Sequence, residues 1–383
     1  MSFKHLFQRS LAAAPDRLHF AAHSHHLWPD ASWLGQQAAW QDAARLADRK
    51  WARVMGEIWP AAQRHVASEL GLPDPSSVVF AGNTHDLLLR IVSARSERPL
   101  RVLASDGEFH SFRRQAQRWV EAGTITLETV AAGADFAERF VGAAQGKDHD
   151  LIFVSQVMFA TGERLPFDAL AELAALARPD GLWVVVDGYH GFMAIENDLG
   201  PVADRLFYLA GGYKYAMAGE GVAFLHCPPG FGDRPAITGW YAEFEDLSLP
   251  PGQVGYARNA MRFMGSTFDP SGLYRFVAVR DMLDQQDLTT AAINVHVAPL
   301  RQQLLDGLAG TPQDGAELLN PGGDPRARFV ALRSPQAAAW QAALAAQDIV
   351  TDVRGDVLRI GFGLYHDERD VRRLLAALAD LDD

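Results

Sequence analysis

The chain has 383 residues, 48% hydrophobic and 21% charged, with a formal net charge of −12. That length exceeds the usual single core, so two domains are expected, and the acidic balance argues against generic binding to nucleic acid or an anionic membrane. The single cysteine, Cys227, excludes a disulfide framework and a cysteine-rich metal site, and no apolar run approaches the ~20 residues of a membrane span, so the chain reads as cytoplasmic.

Residues 1–20 form an N-terminal arm. Next come His23, Ser24, His25, His26, Leu27 and Trp28. Three histidines in four residues suggest a metal. No cysteine or carboxylate is spaced to complete a site, so the segment reads as a loop of exposed histidines with no metal. Asp30 is placed to N-cap a helix to about residue 50, and a second helix follows to 70. A strand at 78–80 runs into Gly82, Asn83, Thr84 and His85, then a helix carrying Leu87, Leu88 and Ile91. Strand, glycine turn, hydroxyl and helix make a phosphate cradle, because free N–H groups and the helix dipole favour a dianion.

A strand at 102–104 leads to Gly107, Glu108, Phe109 and His110. Further strands fall at 125–130 and 151–155, and a helix at 167–177. Residues 182–186 are a continuous β-branched run, as in a strand buried on both faces. It ends in Asp187, with His190 three residues on. A second run, 206–210, ends in Gly211, Gly212, Tyr213, Lys214 and Tyr215, and a third covers 222–225. Short apolar runs alternating with helices predict an α/β fold with a mostly parallel seven-stranded sheet. Ligand sites in such sheets lie beyond the carboxyl ends of strands, where all these residues fall.

Gly239-Trp240 and the run Gly265, Ser266, Thr267 follow the sheet. Helices at 270–283 and 287–308 lead to a small α+β domain: strand 329–333, helix 335–345, strands 349–352 and 357–362, helix 367–381. The large domain is therefore expected over 21–285 and the small one over 286–383, with the N-terminal segment packing on it. Arg359 interrupts an otherwise apolar strand, and such an arginine wants an anion.

A carboxylate closing a buried strand and a lysine on a glycine turn must be paired or shift in pKa. A pyridoxal phosphate (PLP) site explains both: Lys214 meets the cofactor's aldehyde and Asp187 its ring nitrogen. Asp187 with His190, then Tyr213-Lys214-Tyr215, resembles class V, fold type I PLP enzymes, and with Gly239-Trp240 resembles kynureninase more than other members. The resemblance implies Lys214, Asp187 and His190 as catalytic residues. It implies Asn83, Thr84, His85, Phe109, Tyr213, Trp240 and Thr267 around the cofactor, with Phe109 stacked on its ring and Thr267 reaching the partner's phosphate in a homodimer with shared sites. Arg359 is implied for an amino-acid α-carboxylate, with His25 and Trp28 also on the substrate side. Trp28, Phe112 and Trp240 are expected at the mouth, favouring an aromatic substrate. Kynureninase-like cleavage of Cβ–Cγ is the expected outcome. An aminotransferase, a selenocysteine-lyase-like β-lyase and a non-catalytic PLP-fold protein remain as alternatives. A cysteine desulfurase needs a cysteine nucleophile, and Cys227 stands beside two prolines at a strand end.

Overall fold

The computed structural model describes residues 2–96, 98–244, 248–320 and 328–381. Its strands in chain order are β1 (Leu18–His19), β2 (Val78–Ala81), β3 (Leu100–Ser105), β4 (Ile125–Val130), β5 (Leu151–Ser155), β6 (Trp183–Asp187), β7 (Leu206–Gly211), β8 (Ala223–His226), β9 (Glu317–Leu318), β10 (Phe329–Arg333), β11 (Ile349–Val350), β12 (Asp352–Arg354) and β13 (Val357–Gly361). Seven of them make one sheet in the order β2-β8-β7-β6-β5-β3-β4. All neighbours from β4 to β7 are parallel, and β8 is antiparallel to both β7 and β2. Two reversals return β2 to the direction of β7, so the carboxyl ends of β2, β3, β5, β6 and β7 open on one edge.

Parallel neighbours need crossovers, supplied by helices His110–Glu121, Phe136–Gly146 and Phe167–Leu176. With helices over the sheet, the central strands lose polar alternation. Every residue of β5 and β7 is buried, and β6 is buried up to Val186. Glycine is required where the strand tops crowd: a Cβ on Gly211 would overlap the Tyr189 hydroxyl, and one on Gly188 the Tyr208 ring.

The second sheet, β12-β13-β10-β9, is antiparallel throughout. The N-terminal segment is woven into this part of the chain: β1 pairs in parallel with β11, and Ala21 bridges Gly361. Helix Asp30–Leu46 packs on helix Ser271–Gln285, with Gly35 against the Tyr274 carbonyl. Among the described residues no helix is long and apolar enough to cross a membrane.

Four local expectations need correcting. Asp30 is the first residue of its helix rather than its cap, and its carboxylate accepts from the Arg9 N–H at 2.9 Å. That helix stops at Leu46, where Ala47 takes φ 52, and short turns lead into helix Trp59–Leu70. The strand expected at 349–352 divides at Thr351, because β11 pairs with β1 while β12 pairs with β13. Phe112 does not stand at the site mouth. It follows Phe109 by three residues on helix His110–Glu121 and stacks on Phe153 of β5, centroids 3.9 Å apart and planes 4° apart.

Phe112 is thus core. Phe112→Ala should destabilise the fold by about 3–5 kcal/mol, the usual cost of deleting a buried ring, measurable by chemical denaturation. Turnover per folded molecule should stay within about twofold, since mutations away from the site act through stability.

Candidate active site

The strand ends converge on a cavity of about 1130 Å³ whose wall includes Asn83, Thr84, His85, Phe109, Ser155, Phe159, Asp187, Tyr189, His190, Tyr213 and Lys214. Lys214 follows β7 on a turn closed by Met217 N–H to the Lys214 carbonyl (3.0 Å) and Ala218 N–H to the Gly212 carbonyl (2.8 Å). Met217 holds φ 55 there, an unusual conformation for a residue with a side chain. The turn aims the lysine inward: Lys214 is 5% exposed and its Nζ lies 2.5 Å from His190 Nε2. Three rings surround the amine, with centroids at 4.9 Å (Tyr189), 5.7 Å (Phe109) and 5.9 Å (Tyr213).

Burial dominates the electrostatics. It lowers the Lys214 amine to about 7, with the Asp187 charge opposing. Asp187 keeps some surface open to the cavity but lies deep in the protein, and this depth raises its carboxyl despite the Tyr189 N–H at 2.9 Å. Burial, then the Lys214 charge, hold His190 well below the usual imidazole range. His190 pairs through Nε2 with Lys214, and its Nδ1 is buried without a partner.

Glu108, unassigned from sequence, anchors the turn that presents Phe109. Its buried carboxylate accepts from Ser105 Oγ (2.6 Å), Ser155 Oγ (2.5 Å) and Ser155 N–H (3.1 Å), and burial pushes it up to about 7 against those bonds. Asn83 caps helix Thr84–Ser93 by accepting from the Asp86 N–H at 2.9 Å. The first N–H groups of that helix lack intrahelical partners and face the cavity end.

These residues fit PLP. The orphaned Nδ1 atoms of His190 and His85 await polar partners, the helix start suits a phosphate, and a buried amine and the Asp187 carboxylate share the wall. Asn83, Thr84 and His85 can hold the phosphate, Asp187 the ring nitrogen, Phe109 a ring face, and Lys214 the aldehyde carbon.

Other expected residues lie outside the wall. Trp240 donates from Nε1 to Thr267 Oγ1 at 3.3 Å, and both are exposed. His25 is exposed at the rim, stacked on Tyr213 at 4.7 Å. Trp28 lies over Arg275, 5.2 Å from its guanidinium carbon. Arg359 is 2% exposed and lies behind Phe159; it donates to the Phe159 carbonyl and to Asp352, leaving Nε without a partner. The histidine loop is not uniformly exposed: His23 and His26 are buried and point apart, His23 onto Phe329 and His26 towards Tyr365. Burial brings each to about 3. Among the described residues no group of three or more His, Cys, Asp or Glu is arranged to hold a metal ion. Sequence reasoning missed Tyr189 and the Asp352 partnership. A tyrosine after a strand carries no signal separating wall from core, whereas a carboxylate two residues from Arg354 and opposite an apolar strand's arginine was a usable one.

A primary amine reacts as its neutral form. In cofactor-free protein, the rate at which Lys214 reacts with an aldehyde reagent should rise with pH and level off above about 7, against about 10.4 for ordinary lysine. A rate still climbing at pH 10 contradicts the desolvated amine.

Residues 298–378 match the family model for the kynureninase C-terminal domain. The chain is 30% identical to isopenicillin N epimerase from Streptomyces clavuligerus over 365 residues, 88% of this chain and 87% of that one. It is 23% identical to a probable cysteine desulfurase from Vibrio cholerae, over 83% of this chain and 81% of the relative. The solved structure of a C-DES variant with glycine covalently linked to its PLP cofactor superposes with TM-score 0.82 at 20% identity, covering 100% of both chains. With its buried lysine, carboxylate and phosphate-ready helix on the edge of this sheet, the chain belongs to the class V, fold type I superfamily of PLP-dependent enzymes.

Proposed function

We propose that the enzyme acts on an L-amino acid with a bulky aromatic side chain and cleaves it as kynureninases do, hydrolysing Cβ–Cγ to alanine and an aromatic acid. The observation that carries this reading is the wall around Lys214: Phe159, Tyr189 and Tyr213 favour a flat apolar group. The kynureninase match over 298–378, which includes Arg359, supports it. The one cysteine, Cys227, is buried outside that wall, its thiol pushed up to about 12 by burial, so no cysteine is available to accept sulfur.

When bound, PLP supplies an electron sink for charge developing at the substrate Cα. The chain's residues supply the rest. Arg359, whose buried Nε lacks a partner, would receive the α-carboxylate. Lys214, neutral in part near pH 7 because it is buried, takes the Cα proton. His190, neutral and beside Nζ, keeps a proton within reach. Asp187 would hold the ring nitrogen and keep it protonated. A second reading, epimerisation, is favoured by the 30% identity to isopenicillin N epimerase. It shares proton removal by Lys214 and differs in returning a proton to the opposite face.

The holoenzyme in D2O should convert L-kynurenine or 3-hydroxykynurenine to alanine and the matching anthranilate. Recovery of either amino acid deuterated at Cα and stereochemically scrambled, with no anthranilate, favours the epimerase reading instead. Asp187→Ala should retain cofactor but lower turnover about 100- to 1000-fold, the range for one transition-state electrostatic contact.

We also propose a homodimer, because Trp240 and Thr267 are exposed away from their own cavity. Mixing inactive Lys214→Ala and Thr267→Asp chains should then restore activity, since one site of each mixed dimer holds an intact lysine and threonine. No recovery after verified subunit exchange contradicts a shared site.

A further inference from the structure

Arg359 is among the largest fully buried side chains, and it already has a carboxylate. Asp352 of β12 is its direct cross-strand partner on β13, so the two side chains share a face. Arg354, two residues on, shares that face too and forms an ion pair with Asp352, Nη1 lying 2.7 Å from Oδ1. Asp352 Oδ2 accepts from Arg359, and His23 Nε2 lies 3.7 Å away. His23 is buried and, from the same burial, neutral at ordinary pH. The group therefore contains two guanidinium cations and one carboxylate. Burial would raise Asp352, but His23 and the two arginines outweigh it and bring it to about 2. The charges of Arg359, Asp352 and Arg354 are all felt at Lys214.

A buried arginine without a counter-ion is strongly disfavoured. A single arginine with a single carboxylate is neutral and attracts no further anion. Here the second arginine leaves one positive charge in excess beside the lysine. Asp352 also has a cation against each oxygen, so it is a fixed part of the cluster behind Phe159 rather than a plug that leaves when substrate arrives.

We propose that Asp352 is a positioning residue for substrate recognition: shared between Arg359 and Arg354, it fixes Arg359 and leaves the cluster with the charge that selects amino acids bearing a free α-carboxylate. This rests on the reading that Arg359 receives that carboxylate.

The test is the preference of the holoenzyme for L-phenylalanine over L-phenylalaninamide, measured by isothermal titration. Asp352→Asn should lower that preference at least about tenfold, mainly through weaker binding of the acid, as expected when a hydrogen bond to a charged group is lost. Asp352→Glu should restore part of it. Unchanged preference in a folded Asp352→Asn protein overturns the proposal, and tighter acid binding also overturns it by making Asp352 a competitor. Arg354→Gln alters a half-exposed residue and serves if Asp352→Asn does not fold; preference should fall at least about threefold, in line with loss of one nearby charge, and no fall overturns the charge argument. Arg359→Lys separates the two levels. If it leaves the preference intact, the carboxylate seat is elsewhere and the underlying reading fails. If it abolishes the preference while Asp352→Asn does not, only the role of Asp352 fails.

Discussion

The site depends on a primary amine kept out of water. Lys214 is held inside by the turn after β7, and its burial lowers its proton affinity to about 7. An ammonium in that position needs compensation, and the chain supplies it from strand ends: Asp187 from β6, and His190 three residues later. These groups meet because parallel strands share a direction and end on one edge. β2 joins them only through the antiparallel β8, which returns it to that direction and sets helix Thr84–Ser93 over the same cavity. Gly188 and Gly211 let the strand tops close around the lysine, since a side chain at either position would strike a tyrosine.

Burial then divides the titratable groups. Glu108 and Asp187 are pushed up, and His190 and His23 are pushed down, so the floor drifts towards neutrality. Asp352 moves the other way because His23 and the two arginines outweigh its burial. The cavity thus has a nearly neutral floor under a ring and a cationic region behind Phe159. In the proposed function, that separation suits an amino acid with its amine end near Lys214 and its carboxylate towards Arg359.

The central residues were legible because each ended a run of a recognisable kind. A β-branched stretch stopping at Asp187, and an apolar stretch stopping at two glycines and Lys214, contradict ordinary core composition, and a contradiction of that sort marks a site. The seven-stranded sheet was legible for the same reason. What escaped depended on register or facing. Phe112 shares a helix with the residues flanking Phe109, but three residues of rotation turn it onto Phe153. The pairing of Asp352 with Arg359 follows from the β12–β13 register, and the division of that segment at Thr351 depends on which strand each half pairs with. His23 and His26 looked like surface residues by composition, yet the bridge from Ala21 to Gly361 draws their loop between the two parts of the chain.

The central claim is that Lys214 is the residue that carries the cofactor. Borohydride reduction of the PLP-loaded protein, followed by peptide mapping, tests it most directly. The account predicts a pyridoxyl label on Lys214 alone, and none in Lys214→Ala. A label on any other lysine, or undiminished labelling of the variant, would contradict it.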